Sequence, residues 1–184
     1  MNPAQLRAAV AALHAGQVIA YPTEAVWGLG CDPENQLACE RIFALKQRDW
    51  RKGLILVGSD FAQFEPYIRM PSNSALKRAT ATWPGPHTWI FPCADDAPMW
   101  LTGERDDIAL RVSAHPVVRA LCERFGGALV STSANRSGRE PARSATQLRL
   151  QFGPLTPRVV PGAVGGMVKP TPIRNVITGA IIRA

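Results

Sequence analysis

Two cations, Lys46 and Arg48, stand two residues apart at the end of an apolar, helix-like run, with Lys52 close behind. Much later in the chain, Ser131-Thr132-Ser133-Ala134-Asn135 gathers small hydroxyl and amide side chains. Guanidinium and ammonium groups supply charge, and neutral hydrogen-bonding groups supply direction, so together they suit a polyphosphate held without a glycine-rich phosphate loop. On a continuing helix, positions i and i+2 point about 200° apart. The two cations can therefore serve one ligand only if the helix ends beside them. The loss of apolar period through Arg48-Asp49-Trp50-Arg51-Lys52 and the arrival of Gly53 predict that ending. On spacing alone, a solvated helix C-terminus, where the dipole favours Lys and Arg, is the plainer reading.

Other residues invite the same weighing. Tyr21-Pro22-Thr23-Glu24 follows an apolar strand-like run and leads into Trp27-Gly28-Leu29-Gly30. Ligands collect at the carboxyl ends of strands in open α/β sheets, so Thr23 can orient a small substrate; an ordinary strand-to-loop turn explains the segment equally well. Thr88 sits behind the rigid Trp83-Pro84-Gly85-Pro86-His87 approach. Arg111 lies inside an apolar strand, where an unpaired cation is costly, so it needs a protein carboxylate or an anionic ligand. GxGxxG and GxxxxGK[ST] are absent, as is a GxSxG elbow around the serines, which argues against dinucleotide, P-loop and serine-hydrolase chemistry. The three histidines lack metal-ligand spacing, and the four cysteines form no CxxC pair and read as reduced packing thiols.

The elements that must position these groups alternate. Helices are expected over 6–13, 35–46, 60–67, 72–81, 116–125 and 145–152. Strands are expected at 18–21, 54–57, 88–91, 108–112, 128–130, 159–160, 176–177 and 180–182, the last ones antiparallel about Gly179. The Ser/Thr/Asn segment is read as a loop opening from the 128–130 strand. This pattern predicts one α/β domain, 1–184, around a twisted mixed sheet flanked by helices. A hydrophobic content of 46% fits a globular protein, and a net charge of +7 on 184 residues suits acidic partners such as nucleotides, nucleic acid or an anionic membrane, or equally a charge that serves solubility alone. No signal peptide or membrane-length apolar run is visible, so a cytoplasmic location is expected.

Taken in order, Tyr21-Pro22-Thr23-Glu24, Gly28-Leu29-Gly30, Lys46-Gln47-Arg48, Lys52-Gly53-Leu54-Ile55-Leu56, Trp83-Pro84-Gly85-Pro86, Leu110-Arg111-Val112, His115-Pro116 and 131–138 resemble the YrdC-like family of threonylcarbamoyl-adenylate synthases, in its short bacterial form. The resemblance implies a large, positively charged cavity. It implies synthesis of threonylcarbamoyl-AMP and pyrophosphate from L-threonine, bicarbonate and ATP with Mg2+. Partner proteins would then pass the threonylcarbamoyl group to tRNA beside the anticodon. By similarity Lys46 and Arg48 are catalytic; Lys52, Thr88, Ser131, Thr132, Ser133, Asn135 and Arg183 contact ATP; Thr23, Arg111 and Thr171 contact threonine. No side-chain metal ligands are implied. Asp49 stands where the family commonly has proline, which predicts a looser loop, and Pro170-Thr171-Pro172-Ile173 matches the family's C-terminal segment more loosely. The competing expectations are a non-enzymatic RNA-binding module and carbamoyl transfer to another acceptor.

Overall fold

A computed structural model describes residues 1–167 and 171–183; Pro170, the first residue of the loosely matching segment, lies outside them. Helix α1 (Pro3–His14) starts earlier than its apolar period suggests, because Asn2 and Gln5 form a reciprocal capping box and Pro3 takes the first helical position. Helix α2 (Gln36–Lys46) is capped by the Asn35 side chain, which accepts from Ala38 N at 2.9 Å, and buries Ala38, Cys39, Ile42 and Phe43. Helix α5 (Pro116–Phe125) is capped by His115 at one end and closed by Gly126 at the other. The remaining helices are α3 (Asn73–Thr80), α4 (Met99–Thr102) and α6 (Ala145–Phe152). Residues 61–67, expected as a helix, form a 3-10 helix that contains Pro66.

Nine strands of the described chain form one mixed sheet: β1 (Ile19–Pro22), β2 (Trp27–Gly30), β3 (Ile55–Gly58), β4 (Thr88–Pro92), β5 (Asp107–Val112), β6 (Leu129–Ser133), β7 (Arg158–Val159), β8 (Ile173–Asn175) and β9 (Ile181–Arg183). Their spatial order is β7-β1-β2-β6-β3-β5-β4-β8-β9. Three pairs, β1–β7, β3–β5 and β4–β8, are parallel and the rest antiparallel, including the late β8–β9 pair. Three expectations are corrected. Trp27–Gly30, where no strand was expected, is a strand paired with β1 and β6. Ser131–Ser133 continues β6 rather than forming a loop, because β2 and β3 pair with it on either side. The strand expected at 176–177 lies at Ile173–Asn175, where β4 and β9 both bond to it.

The two faces of this sheet are treated differently. Ala20, Leu29, Leu56, Val130, Leu110, Trp89 and Phe91 belong to a continuous core shared with α2, α3 and α6. On the opposite face Ile19, Tyr21, Val57 and Leu129 pack under α1 and α5. That helix pair covers only part of its face. Beyond it the same pleat carries Ser131, Ile55, Ala109 and Ile90, which lie opposite one another in register across four strands and line a cavity instead of a helix.

Candidate active site

The cavity occupies about 540 Å³. Successive strands deliver residues to it at two-residue spacing: Asp107, Ala109 and Arg111 from β5, Thr88 and Ile90 from β4, Ser131 and Ser133 from β6. Thr23 enters from the turn after β1, Lys52 and Gly53 from the segment after α2, and Arg183 from β9. A cavity on a sheet face rather than at strand ends follows from the topology. Most neighbouring strands here are antiparallel, so no crevice opens at their carboxyl ends as it does in a doubly wound parallel sheet.

Helix α2 ends as its sequence predicts. Gln47 takes a left-handed conformation (φ 51°, ψ 45°), and Arg48 N bonds back to Phe43 O at 3.0 Å. This reversal turns Arg48 into the cavity while Lys46, on the last helical turn, stays behind the wall. The Lys46 ammonium is 3% exposed and donates to Ser133 O, to Asn135 O at 2.9 Å and to Asn135 Oδ1 at 3.2 Å. Burial, and then the neighbouring Arg48 charge, pull it down to about 7, while the three oxygens favour its charged form. Asn135 is fully engaged: Ser133 Oγ donates to its Oδ1 at 2.7 Å, and its amide donates to Arg136 O and Arg139 O. Lys46 and Asn135 thus fix the Ser133 turn from behind rather than lining the cavity.

Arg48 is half-buried. Its Nη2 donates to Gly53 O at 3.0 Å, its Nε has no hydrogen-bond partner, and burial followed by the Arg105 charge lowers its pKa. Asp49 has φ −61°, the value proline would impose, and its carboxylate accepts from Arg51 N at 3.1 Å to cap a short 3-10 helix. Where a proline ring would fix this φ, the Asp49 carboxylate caps the first turn of the 3-10 helix instead.

Arg111, 7% exposed, has the protein carboxylate that its place in an apolar strand demanded: Glu24 Oε2 lies 3.5 Å from its Nη2. Ser113 Oγ donates to Glu24 Oε1 at 2.7 Å. Burial pushes the Glu24 carboxyl up, but Arg111 and then the Ser113 hydroxyl outweigh it and hold the group below the usual carboxylate value. Gly165 N donates to Thr23 O at 2.8 Å and Met167 N to Glu24 O at 3.2 Å, so a strap at 163–167 crosses this corner. His115 ties the strap down. Its Nδ1 accepts from Val117 N, which leaves the proton on Nε2 to reach Ala163 O at 3.1 Å. Thr23 Oγ1 donates to Val26 O at 2.8 Å and holds the turn. Thr88 and Thr171 share a hydrogen bond of 3.2 Å, and Arg183 donates to Thr171 O at 2.9 Å. Burial and the Arg111 charge lower the pKa of Arg183.

Thr23, Arg48, Lys52, Thr88, Arg111, Ser131, Thr132, Ser133, Thr171 and Arg183 all line this one cavity. Arg105 and Asp107 line it too, unnoticed in the sequence because they sit in an unpatterned acidic-basic stretch, Glu104-Arg105-Asp106-Asp107. Glu24 was legible only as part of a turn. Among the described residues, five basic side chains face one carboxylate, that of Asp107, and guanidiniums lie near one another twice, Arg48 by Arg105 and Arg111 by Arg183. Such a wall favours an extended polyanion with a second, smaller anionic group beside it. Among the described residues no cluster of His, Cys, Asp or Glu could hold a metal ion by itself, and no helix is long and apolar enough to cross a membrane.

The Sua5/YciO/YrdC family model, described as "Telomere recombination", matches residues 11–184. A curated protein from Halorhodospira halophila named threonylcarbamoyl-AMP synthase is 51% identical over 99% of this chain and 95% of its own length. Among solved structures, Sua5 of P. abyssi complexed with L-threonine superposes with a TM-score of 0.88 at 28% identity over 96% of this chain, which spans about half (52%) of that longer protein. E. coli YciO superposes with a TM-score of 0.87 at 28% identity, over 99% of this chain and 90% of its own.

Proposed function

The chain belongs to the Sua5/YciO/YrdC family, and on that premise we propose that it joins L-threonine, bicarbonate and ATP into L-threonylcarbamoyladenylate with release of pyrophosphate. The observation that carries this reading is the convergence of the Thr23 turn, Arg111 and the Ser131–Ser133 end of β6 on a single cavity whose charged lining residues are mainly cations. A nucleotide triphosphate and an amino acid that meet head-on need such a wall, because every reacting group is anionic at some stage.

The free amine of threonine adds to the carbon of carbon dioxide or bicarbonate and gives an N-carboxy anion, with loss of a proton to solvent in the first case and of water in the second. An oxygen of that anion then attacks the α-phosphorus of ATP, the bond to the β-phosphate oxygen breaks, and pyrophosphate departs. Arg48 and Lys52 neutralise charge as it moves to the leaving group, and Ser131, Thr132 and Ser133 direct hydrogen bonds at the phosphates. Lys46 and Asn135 set the angle of the Ser133 turn, and Lys46 adds its charge through the wall. Thr23 and Arg111 orient threonine, Arg111 on the carboxylate; Thr88, Thr171 and Arg183 close the opposite side around ATP and threonine. Magnesium enters with ATP as part of the substrate and offsets phosphate charge. Asp107, the lone carboxylate among the described lining residues, fits that mode, since Mg2+ keeps most of its waters and phosphate ligands and needs few protein ones. No histidine lines the described cavity, so positioning and electrostatics do most of the work. The adenylate is an activated acyl donor, to be consumed in the cytoplasm by proteins that carry its acyl group to tRNA.

The test is pyrophosphate release by the purified protein supplied with magnesium and ATP. Release is expected only when threonine and bicarbonate are both present; release that ignores threonine removes the reading.

A further inference from the structure

Two loops approach each other backbone to backbone at the mouth of the cavity. Leu54 N donates to Leu101 O at 2.8 Å, and the 3-10 segment at 50–52 packs on α4. The approach exists because neither loop has a side chain at the crossing. Gly53 and Gly103 both have positive φ, 61° and 67°; a Cβ on Gly53 would stand 2.7 Å from Leu101 O, and one on Gly103 would run into Arg51 O. The loop that carries Lys52 is thereby locked to the loop that carries Arg105, two residues past Gly103. Arg105 lines the cavity and is the like charge that acts on Arg48, yet among the described residues it makes no ion pair. Its acidic neighbour Asp107 is carried up by burial and only partly drawn back by Arg105. Three cations are thus held in one place by a contact that excludes side chains, at a Coulombic cost that a polyanion between them would reverse.

The geometry points to Arg105 as the third cation of a polyphosphate subsite that holds, with Arg48 and Lys52, the two phosphates that leave as pyrophosphate. This rests on the reading proposed above and deepens it: release of pyrophosphate then depends on a residue outside the Lys-x-Arg and Ser-x-Asn segments. Because Arg105 is solvent-exposed, its replacement leaves the core untouched.

Calorimetric titration with sodium pyrophosphate, and separately with AMP, compares the unaltered chain with Arg105→Gln, Arg105→Lys and Lys77→Gln, the last removing an exposed charge from α3. Arg105→Gln should weaken pyrophosphate about tenfold, the worth of one charge-assisted contact, and Arg105→Lys should recover part of it. Lys77→Gln should stay within about twofold, and AMP, which lacks the two departing phosphates, should bind all four alike. Pyrophosphate binding by Arg105→Gln equal to that of the unaltered chain overturns the inference, as does an equal loss in Lys77→Gln. The same unaltered preparation is assayed for threonine-dependent pyrophosphate release. Release alongside an unchanged Arg105→Gln titration defeats the subsite alone; a lost titration without release defeats the catalytic reading and leaves the subsite standing.

Discussion

At the scale of single residues, Lys46 combines a cation with a strut. Its ammonium satisfies three oxygens of the Ser133 turn from a buried position, so removing it strands those acceptors as well as deleting charge. Lys46→Ala should lower stability by about 3 kcal/mol, read from denaturant unfolding, and abolish pyrophosphate release. A variant that keeps full stability would show that the turn holds itself. Glu24 gives a pH signature. Its folded pKa lies below the unfolded value of 4.5, so the stabilisation it provides is complete above pH 4.5 and is lost as pH falls through the folded value. The unaltered chain should exceed Glu24→Gln by about 2 kcal/mol at neutral pH, and the gap should close below pH 4.5; a pH-independent gap would contradict the Arg111 pairing. The sequence indicated that Arg111 needed a partner, since a cation in an apolar strand cannot stand alone. It could not say which carboxylate, because Glu24 comes near only through the pairing of β1, β2, β6, β3 and β5.

At the scale of elements, the reading succeeded where local chemistry decides and failed where sheet neighbours decide. The end of α2 beside Lys46 and Arg48 was visible in the broken apolar period and in Gly53, although the left-handed turn fell on Gln47, which no propensity singles out. Trp27–Gly30 was not among the expected strands, since glycine is poor in strands, yet β1 and β6 bond to it from both sides. Ser131–Ser133 looked like a loop because it is polar; it is polar because that stretch of the pleat faces the cavity rather than a helix. The Gly53–Gly103 crossing could not be read at all, since two separate glycines carry no signal of their meeting. Gly103→Ala should cost at least about 2 kcal/mol and raise KM for ATP by displacing the loop that carries Arg105. Gly126→Ala, at the end of α5 and with open space around the new Cβ, should leave KM for ATP unchanged while costing stability through its positive φ.

At the scale of the whole molecule, the decisive arrangement is a sheet whose one face is only partly covered. Helices α1 and α5 bury one end of that face, and the rest is left to residues gathered from β4, β5, β6, β9 and the turns after β1 and α2. The net charge of +7 pointed to anionic partners, and much of what matters of it is concentrated on that wall. ATP binding should therefore weaken steeply between low and high salt, whereas threonine, a zwitterion, should lose far less; calorimetry at two ionic strengths compares them, and equal salt sensitivity would contradict a cationic wall that discriminates by charge. The central claim is that this hollow brings three reactants together for one acyl-adenylate product. Incubating the purified protein with magnesium, ATP, threonine and carbon-13 bicarbonate, then weighing the nucleotide products, tests it directly. A threonylcarbamoyl-AMP species carrying the heavy carbon is the predicted result, whereas intact ATP, or AMP without the labelled acyl group, would contradict it.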